Sequence, residues 1–174
     1  MKTISIFGSA QPKPNSQDYA DAERVGALFA QAGYAVATGG YMGTMEAVSK
    51  GAKDAGGHVI GVTCDAIESY RPIAKNPWVM EEIRFPTLRE RLLYLVTENS
   101  GSVILPGGIG TLAELAMIWN GVQCGELSPR PLVCYGSHWQ ETVSQFFDER
   151  YVRAEDRDLL QYGNTPDEVV GYFV

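Results

Sequence analysis

The sequence has no cluster of basic residues and no long apolar segment. Its 174 residues include 14 Lys and Arg against 21 Asp and Glu, a formal net charge of −7. Nucleic-acid backbones are bound by concentrated positive charge, so nucleic acid is disfavoured as a partner. No apolar run approaches the ~20 residues of a membrane-spanning helix, and the first residues do not follow the pattern of a secretory signal. We therefore expect a cytoplasmic protein without a membrane partner.

Disulfide and metal-binding patterns are also missing. The three cysteines, Cys64, Cys124 and Cys134, are odd in number and lack C-x-x-C spacing. In a reducing compartment such cysteines are expected to be buried free thiols. The two histidines, His58 and His138, are far apart and have no neighbours at metal-ligand spacing. We interpret His58 as the start of a strand, His138 as the start of a helix, and neither as a metal ligand.

Two common glycine-rich nucleotide motifs are absent as well. The turn after the first apolar segment reads Gly8-Ser9-Ala10-Gln11-Pro12, which is not G-x-G-x-x-G. No acidic residue is clearly placed after the second strand to bind a ribose diol, so a standard dinucleotide site is disfavoured. G-x-x-x-x-G-K-[ST] does not occur either, which argues against a P-loop NTPase.

What the sequence does contain is an alternation of short apolar strands and amphipathic helices. Strands are predicted over 3–7, 34–38, 58–63, 102–105 and 131–135, with a short one within 78–85. Helices are predicted over 18–32, 44–55, 87–97, 111–122, 139–147 and 166–172, and 64–76 is expected to be irregular. Nearly continuous apolar strands indicate a parallel sheet covered on both faces. The prediction is a single α/β domain over 1–174 with a doubly wound, Rossmann-like sheet.

Three predicted strands are followed by glycine-bearing turns, namely Gly8-Ser9, Gly39-Gly40 with Gly43, and Gly107-Gly108 with Gly110. In doubly wound sheets, ligands bind at the carboxyl ends of the strands near the point where strand order reverses. The third turn leads into a helix predicted to begin at Thr111. Unpaired N–H groups at a helix start attract anions, and glycines let the anion approach closely, so this turn predicts phosphate binding.

Glu114, one turn into that helix, has two interpretations. Thr111-x-x-Glu114 has the spacing of a capping box, which recurs at Thr87–Glu90 and Thr165–Glu168. Alternatively, the carboxylate lies close to a bound phosphate because it has a catalytic role. The spacing leaves both interpretations open.

Two other charged residues are also ambiguous. In the helix from Thr87, Arg89 falls nearer the middle of the apolar stripe than Arg91, so periodicity favours Arg89 as the inward-leaning arginine. Glu46, after the second glycine turn, is interpreted as an exposed helix acid. The stripe itself consists of Leu88, Leu92, Leu95 and Val96.

The run from Pro106 to Glu114 matches the P-G-G-x-G-T-x-x-E signature of the LOG (Lonely Guy) family without a gap. This family contains nucleoside 5′-monophosphate phosphoribohydrolases once labelled lysine decarboxylases. An arginine fifteen residues before the proline of the family signature corresponds to Arg91, and a family G-G-G-x-x-G element corresponds to 39–43. Tyr41 in place of a third glycine, and Leu92 after the arginine, are more similar to a smaller bacterial branch that includes a molybdenum cofactor carrier.

The resemblance implies cleavage of a nucleoside 5′-monophosphate, a cytokinin riboside monophosphate or an AMP-like nucleotide, into a free base and ribose 5-phosphate. Glu114 would be the catalytic carboxylate, and Arg91 would orient it and keep it ionised. Phosphate binding is assigned to Gly107, Gly108, Gly110 and Thr111, and the nucleotide would be bordered by Gly8, Ser9, Gly39, Gly40 and Gly43.

The resemblance also implies that no metal or organic cofactor is needed. It implies a homodimer or higher homo-oligomer, for which the helices beginning at Thr87 and Thr111 are the candidate interface. The competing hypothesis is a carrier that binds a nucleotide or molybdenum cofactor without cleaving it.

Overall fold

Seven parallel strands form one sheet in the computed structural model, which describes residues 1–174. The strands are β1 Thr3–Phe7, β2 Ala35–Thr38, β3 Val59–Cys64, β4 Glu81–Phe85, β5 Ser102–Ile104, β6 Leu132–Tyr135 and β7 Gln161–Gly163. The helices are α1 Gln17–Gln31, α2 Thr44–Asp54, α3 Asp65–Tyr70, α4 Leu88–Thr97, α5 Ile109–Gln123, α6 Ser137–Phe146, α7 Ala154–Arg157 and α8 Pro166–Gly171.

The strand order is β4-β3-β2-β1-β5-β6-β7, with every neighbouring pair parallel. The chain runs outward from β1 to β4 and then returns to the other side of β1, where Phe7 lies opposite Ile104. The order therefore reverses between β1 and β5, which brings the turns after these strands together at one edge. This confirms the predicted doubly wound, Rossmann-like α/β fold.

Alternating side chains of the strands enter two apolar cores, one on each face of the sheet. Ile4 and Ile6 of β1 pack in the core beneath α1, α2 and α8. Phe7 at the end of β1 and Ile104 of β5 pack in the other core, beneath α4, α5 and α6. Because successive strand residues point to opposite faces, apolar side chains at consecutive positions are needed to cover both.

The structure corrects the prediction for 64–76, because Asp65–Tyr70 forms a helix. None of the six residues of α3 is buried, so no apolar periodicity marks it. Instead, Arg84 of β4 binds Asp65 at 2.6 Å and Glu68 at 2.7 Å. Arg84 is distant in sequence from both acidic partners, so a local pattern does not reveal α3. Neither β7 nor α7 was predicted. The strand contacts of β7 are also distant in sequence, and α7 has only four residues.

Cys64 and Cys134 are buried free thiols as predicted, whereas Cys124 is free but exposed, so the prediction of burial was wrong for it. Cys124 follows the last residue of α5, where the chain leaves the core. None of the helices combines the length and the apolar character that crossing a membrane requires.

Candidate active site

The turn between β5 and α5 presents a group of unpaired backbone amides. Gly108 precedes the helix in an extended conformation, and no side chain caps the helix start. The first helical bond runs from the N–H of Leu112 to the Gly108 carbonyl, at 2.9 Å. The N–H groups of Gly108, Ile109, Gly110 and Thr111 have no acceptor in the protein. These donors, at the positive end of the helix dipole, form a site suited to an anion.

Two of the glycines leave this turn open. A Cβ atom on Gly108 or Gly110 would meet no atom within 4 Å, and both residues are exposed. Gly107 differs, because a Cβ there would lie 2.2 Å from the hydroxyl oxygen of Thr111. The turn is thus packed at its base and open at its tip.

The capping-box interpretation of Glu114 was wrong. The helix begins at Ile109, so Thr111 lies within the first turn and is not the cap. Thr87 and Thr165, by contrast, do cap their helices, accepting from the N–H groups of Glu90 and Glu168. The Glu114 carboxylate therefore has no capping role.

Glu114 is instead paired with Arg91 across two helices. Arg91 Nη1 lies 4.0 Å from Glu114 Oε1, and the two side chains are 7% and 12% exposed. Arg91 Nε also donates to the carbonyl of Val62 in β3 at 2.7 Å. An ion pair so shielded from water requires specific partners, and the Val62 carbonyl supplies one.

The preference for Arg89 over Arg91 was wrong, because Arg89 is exposed and Arg91 is buried. Leu88 is also exposed, at 53%, although it belonged to the predicted stripe. The inward face of α4 consists of Arg91, Leu95 and Val96. Periodicity within α4 predicted the wrong face because it contains no information about the Val62 carbonyl and the Glu114 carboxylate, which bind Arg91 in the interior.

Burial raises the pKa of Glu114 from 4.5 to about 7, and the positive charge of Arg91 lowers it only in part. Arg91 favours the ionised form of this acid, as expected of an opposite charge, but desolvation acts more strongly in the other direction. A carboxyl group that titrates near neutral pH exchanges a proton readily under physiological conditions. Such a group in an ion pair at the edge of the sheet is a candidate for acid–base chemistry.

The turn between β2 and α2 packs tightly against this pair. A Cβ atom on Gly39 would lie 2.1 Å from Arg91 Nη2, so only glycine leaves room for the guanidinium. Gly43 has a φ of +71°, and a Cβ there would lie 2.4 Å from the backbone oxygen of Ser9. That oxygen accepts from the N–H of Thr44 at 2.9 Å, which joins the turns after β1 and β2.

Tyr41 was noted in the sequence only as a departure from the family pattern. It is 2% exposed, and its ring centre lies 5.9 Å from the guanidinium carbon of Arg91. Its hydroxyl accepts from the N–H of Cys64 at 2.8 Å and also reaches Glu68 of α3 at 3.3 Å. Tyr41 thus helps to hold Arg91 in place, at a position where glycine could make none of these contacts.

Two cavities lie beside α5 or the turn that precedes it. A polar cleft of about 530 Å³ lies between the turns after β1 and β5, lined by residues that include Ser9, Lys13, Asp18 and Gly107. It has the size of a small-molecule site and borders the unpaired amides. An apolar cavity of about 560 Å³ lies between α5 and α6, on the opposite side of α5 from Glu114. Only the polar cleft adjoins the predicted phosphate site.

Gly8 and Gly40 lie where the turns pack closely or need a positive φ. A Cβ on Gly8 would lie 2.4 Å from the hydroxyl oxygen of Thr44, and Gly40 has a φ of +78°. Glu46 was expected to be exposed, but it is half-buried and accepts from the Tyr19 hydroxyl at 3.2 Å. The surroundings of Glu46 on α2 therefore depend on α1, which periodicity within α2 does not reveal.

The sequence resembles those of known proteins. A family model described as "Possible lysine decarboxylase" matches residues 45–173. The cytokinin riboside 5′-monophosphate phosphoribohydrolase of Mycobacterium tuberculosis is 31% identical over 118 residues, covering 67% of this chain and 62% of the relative. The pyrimidine/purine nucleotide 5′-monophosphate nucleosidase of Escherichia coli is 37% identical over 110 residues, covering 58% of this chain and 23% of that relative. The chain thus spans less than two thirds of either relative.

Solved structures share the whole fold. The molybdenum cofactor binding protein of Rippkaea orientalis superimposes with a TM-score of 0.78 at 22% identity, covering 99% of this chain and 94% of that protein. The molybdenum cofactor carrier protein of Chlamydomonas reinhardtii gives 0.73 at 22% identity, covering 98% and 94%. At this identity the likeness concerns the fold alone.

A doubly wound α/β sheet with unpaired backbone amides at its strand-order reversal defines the class of this protein. Within that class the chain belongs to the LOG, or possible lysine decarboxylase, family, as the signature from Pro106 to Glu114 predicted. Both relatives named above by an activity are enzymes that act on nucleoside 5′-monophosphates.

Proposed function

We propose that this protein is an enzyme that hydrolyses the N-glycosidic bond of a nucleoside 5′-monophosphate, releasing a free base and ribose 5-phosphate. The observation that carries the proposal is the buried Arg91–Glu114 pair, because Glu114 lies on the helix that begins at the unpaired amides of the β5–α5 turn. The names of the relatives support the same class of substrate, which includes cytokinin riboside monophosphates.

Glu114 has the properties that this reaction demands. Breaking the glycosidic bond develops positive charge on the ribose ring, and water must be deprotonated as it attacks. An ionised carboxylate beside the sugar stabilises that charge and accepts the proton. Since burial raises the pKa of Glu114 to about 7, the group is basic enough to take a proton and is still partly ionised at neutral pH. Arg91 orients the carboxylate and favours its charged form.

The β5–α5 turn would hold the 5′-phosphate. The amides of Gly108, Gly110 and Thr111 have no acceptor in the protein, the two glycines adjoin open space, and Gly107 packs against Thr111. Phosphate bound there fixes the ribose relative to Glu114, and such positioning supplies several kcal/mol of barrier reduction. The turns with Gly8 and Ser9, and with Gly39, Gly40 and Gly43, would border the rest of the nucleotide. No step requires a metal or organic cofactor.

We further propose a homodimer, or a higher homo-oligomer, formed through α4 and α5 in the cytoplasm. Leu88 and Leu93 of α4 are 53% and 41% exposed, and Ile109 and Leu112 of α5 are 82% and 40% exposed. An exposed apolar surface of this kind is typical of a protein interface. Analytical ultracentrifugation of the wild type and of Leu93→Glu tests this surface. We expect the substitution to weaken the association of the subunits, and a monomeric wild type would contradict the proposal.

The test of the activity is chromatography of AMP and an N6-substituted AMP after incubation with the purified protein. We expect free base with the wild type and a loss of at least ~100-fold with Glu114→Gln, which cannot accept the proton. Glu126→Gln is the matched control, because Glu126 is exposed and has no partner in the site. Loss of activity in both variants would show that the assay reports general damage.

The carrier hypothesis gives a different result in the same experiment. The carrier is the second candidate because two proteins that bind or carry molybdenum cofactor have the same fold as this chain, although the likeness concerns the architecture alone. A carrier would show no base release at high protein concentration, while the nucleotide or the cofactor raises the melting temperature of both wild type and Glu114→Gln. That outcome would overturn the hydrolase proposal for these nucleotides.

A further inference from the structure

The first turn of α6 lies against the β5–α5 turn and bonds to its backbone at two points. Trp139, which is buried, donates from Nε1 to the carbonyl of Leu105 at 2.8 Å. His138 Nε2 lies 3.3 Å from the carbonyl of Gly107. Its ring also meets the Trp139 ring edge to face, with centres 4.8 Å apart. The two bonded carbonyls therefore belong to the residues on either side of Pro106.

We propose that His138 is a positioning residue that aims the Gly108 amide at a bound phosphate group. This inference rests on the proposed function and assigns His138 a part in phosphate binding. In a planar trans peptide the C=O and the following N–H point in opposite directions. A bond from His138 to the Gly107 oxygen therefore turns the Gly108 N–H away from α6. That N–H has no acceptor in the protein.

The chemistry of the contact determines which atom carries the proton. A carbonyl oxygen only accepts, so Nε2 of His138 must be the donor in this bond. The neutral ring with its proton on Nε2 satisfies this condition, and so does the protonated ring. A side chain with a terminal N–H donor, such as Gln, can in principle make the same bond.

The effect should fall on phosphate binding and not on bond cleavage. The groups proposed for cleavage, Arg91 and Glu114, are held by each other and by the carbonyl of Val62, and His138 contacts none of them. Removing His138 leaves the Gly107–Gly108 peptide free to rotate, so a phosphate loses one aligned donor. A hydrogen bond to a charged group corresponds to roughly a tenfold change in affinity.

The experiment compares His138→Ala, His138→Gln and the control His58→Ala with the wild type. His58 precedes β3, at the opposite edge of the sheet from the site, and bonds to Glu81 at 2.8 Å. For each protein, KM and kcat are measured with AMP, and the binding of ribose 5-phosphate and of adenosine is measured by calorimetry. Adenosine lacks the phosphate, so it reports damage to the rest of the site.

We expect His138→Ala to raise KM for AMP and to weaken ribose 5-phosphate binding, each about tenfold, with kcat changed by less than about twofold. Binding of adenosine should be unchanged, and His138→Gln should recover most of the loss. The inference is overturned if His138→Ala binds ribose 5-phosphate as the wild type does, if adenosine binding falls equally, or if Gln is no better than Ala.

Failure of the proposed function is recognised separately. If the wild type binds ribose 5-phosphate but releases no base from AMP, the hydrolase proposal fails while the role of His138 is still decided by the calorimetry. If the wild type does not bind ribose 5-phosphate at all, the role of His138 is overturned as well.

Discussion

The glycine turns after β2 and after β5 look alike in sequence but use their glycines in different ways. Gly39 and Gly43 lie where a Cβ would strike Arg91 and the Ser9 backbone. Gly108 and Gly110 face open space, beside amides without acceptors. The first turn needs glycine for close packing around a buried arginine, and the second needs it for the approach of a ligand. A glycine-rich turn therefore leaves room for a ligand only where a Cβ atom on its glycines would meet no protein atom.

The largest expected effect is the loss of stability in Gly43→Ala. Alanine at this positive φ is strained, and its Cβ would meet the backbone oxygen of Ser9, which cannot move without shifting the β1 turn. We expect the free energy of unfolding to fall by about 3 kcal/mol. Urea denaturation measures it, and a loss below about 1 kcal/mol would contradict the close packing assigned to this turn.

Gly39→Ala should affect activity more than stability. Its Cβ would displace the end of the Arg91 side chain, which is flexible enough to move out of its place beside Glu114. A displacement of about 1 Å in a catalytic group lowers the rate roughly 100-fold. We expect kcat for base release to fall by that amount with only a modest change in melting temperature. A normal kcat would show that the exact place of Arg91 is unimportant.

Glu114→Gln tests the pair that joins the two turns. Burial raises the pKa of Glu114 in the folded protein from 4.5 to about 7. Between pH 4.5 and about 7, Glu114 therefore keeps its proton in the folded protein and releases it in the unfolded chain. The stability that this group contributes is fully present below pH 4.5 and is lost as the pH rises through about 7.

Glutamine cannot ionise, so we expect Glu114→Gln to be more stable than the wild type by about 2 kcal/mol near pH ~8, with little difference near pH ~4.5. Urea denaturation at both values measures this, with Glu126→Gln as the control. If the advantage of Gln is the same at both pH values, titration of Glu114 is not its cause.

The smallest expected effect is that of Gly110→Ala. Its Cβ meets no protein atom, and alanine favours the helix, so stability should stay equal or rise by about 0.5–1 kcal/mol. The added methyl group lies where an anion would approach, so KM for AMP should rise about tenfold. The melting temperature measures the change in stability, and steady-state kinetics measure the change in KM. An unchanged KM would place the phosphate elsewhere.

Much of the architecture and the location of the site could be predicted from the sequence. Apolar strands alternating with helices indicated the doubly wound sheet, and the signature from Pro106 to Glu114 indicated the turn with unpaired amides at its edge. These inferences succeed because strand and helix patterns and glycine turns depend on neighbouring residues. The single domain over 1–174, the assigned roles of the site residues and the absence of a cofactor stay predictions.

Only the tertiary structure decided how the charged groups are arranged. Periodicity chose Arg89, but the Val62 carbonyl, 29 residues away, and Glu114 hold Arg91 inside. The spacing favoured the capping box for Glu114 until the helix start at Ile109 excluded it. Burial and the energy of an ion pair depend on groups that are distant along the chain and close in space. Local pattern therefore determined where the site lies, and packing determined which side chains are in it and how Glu114 titrates.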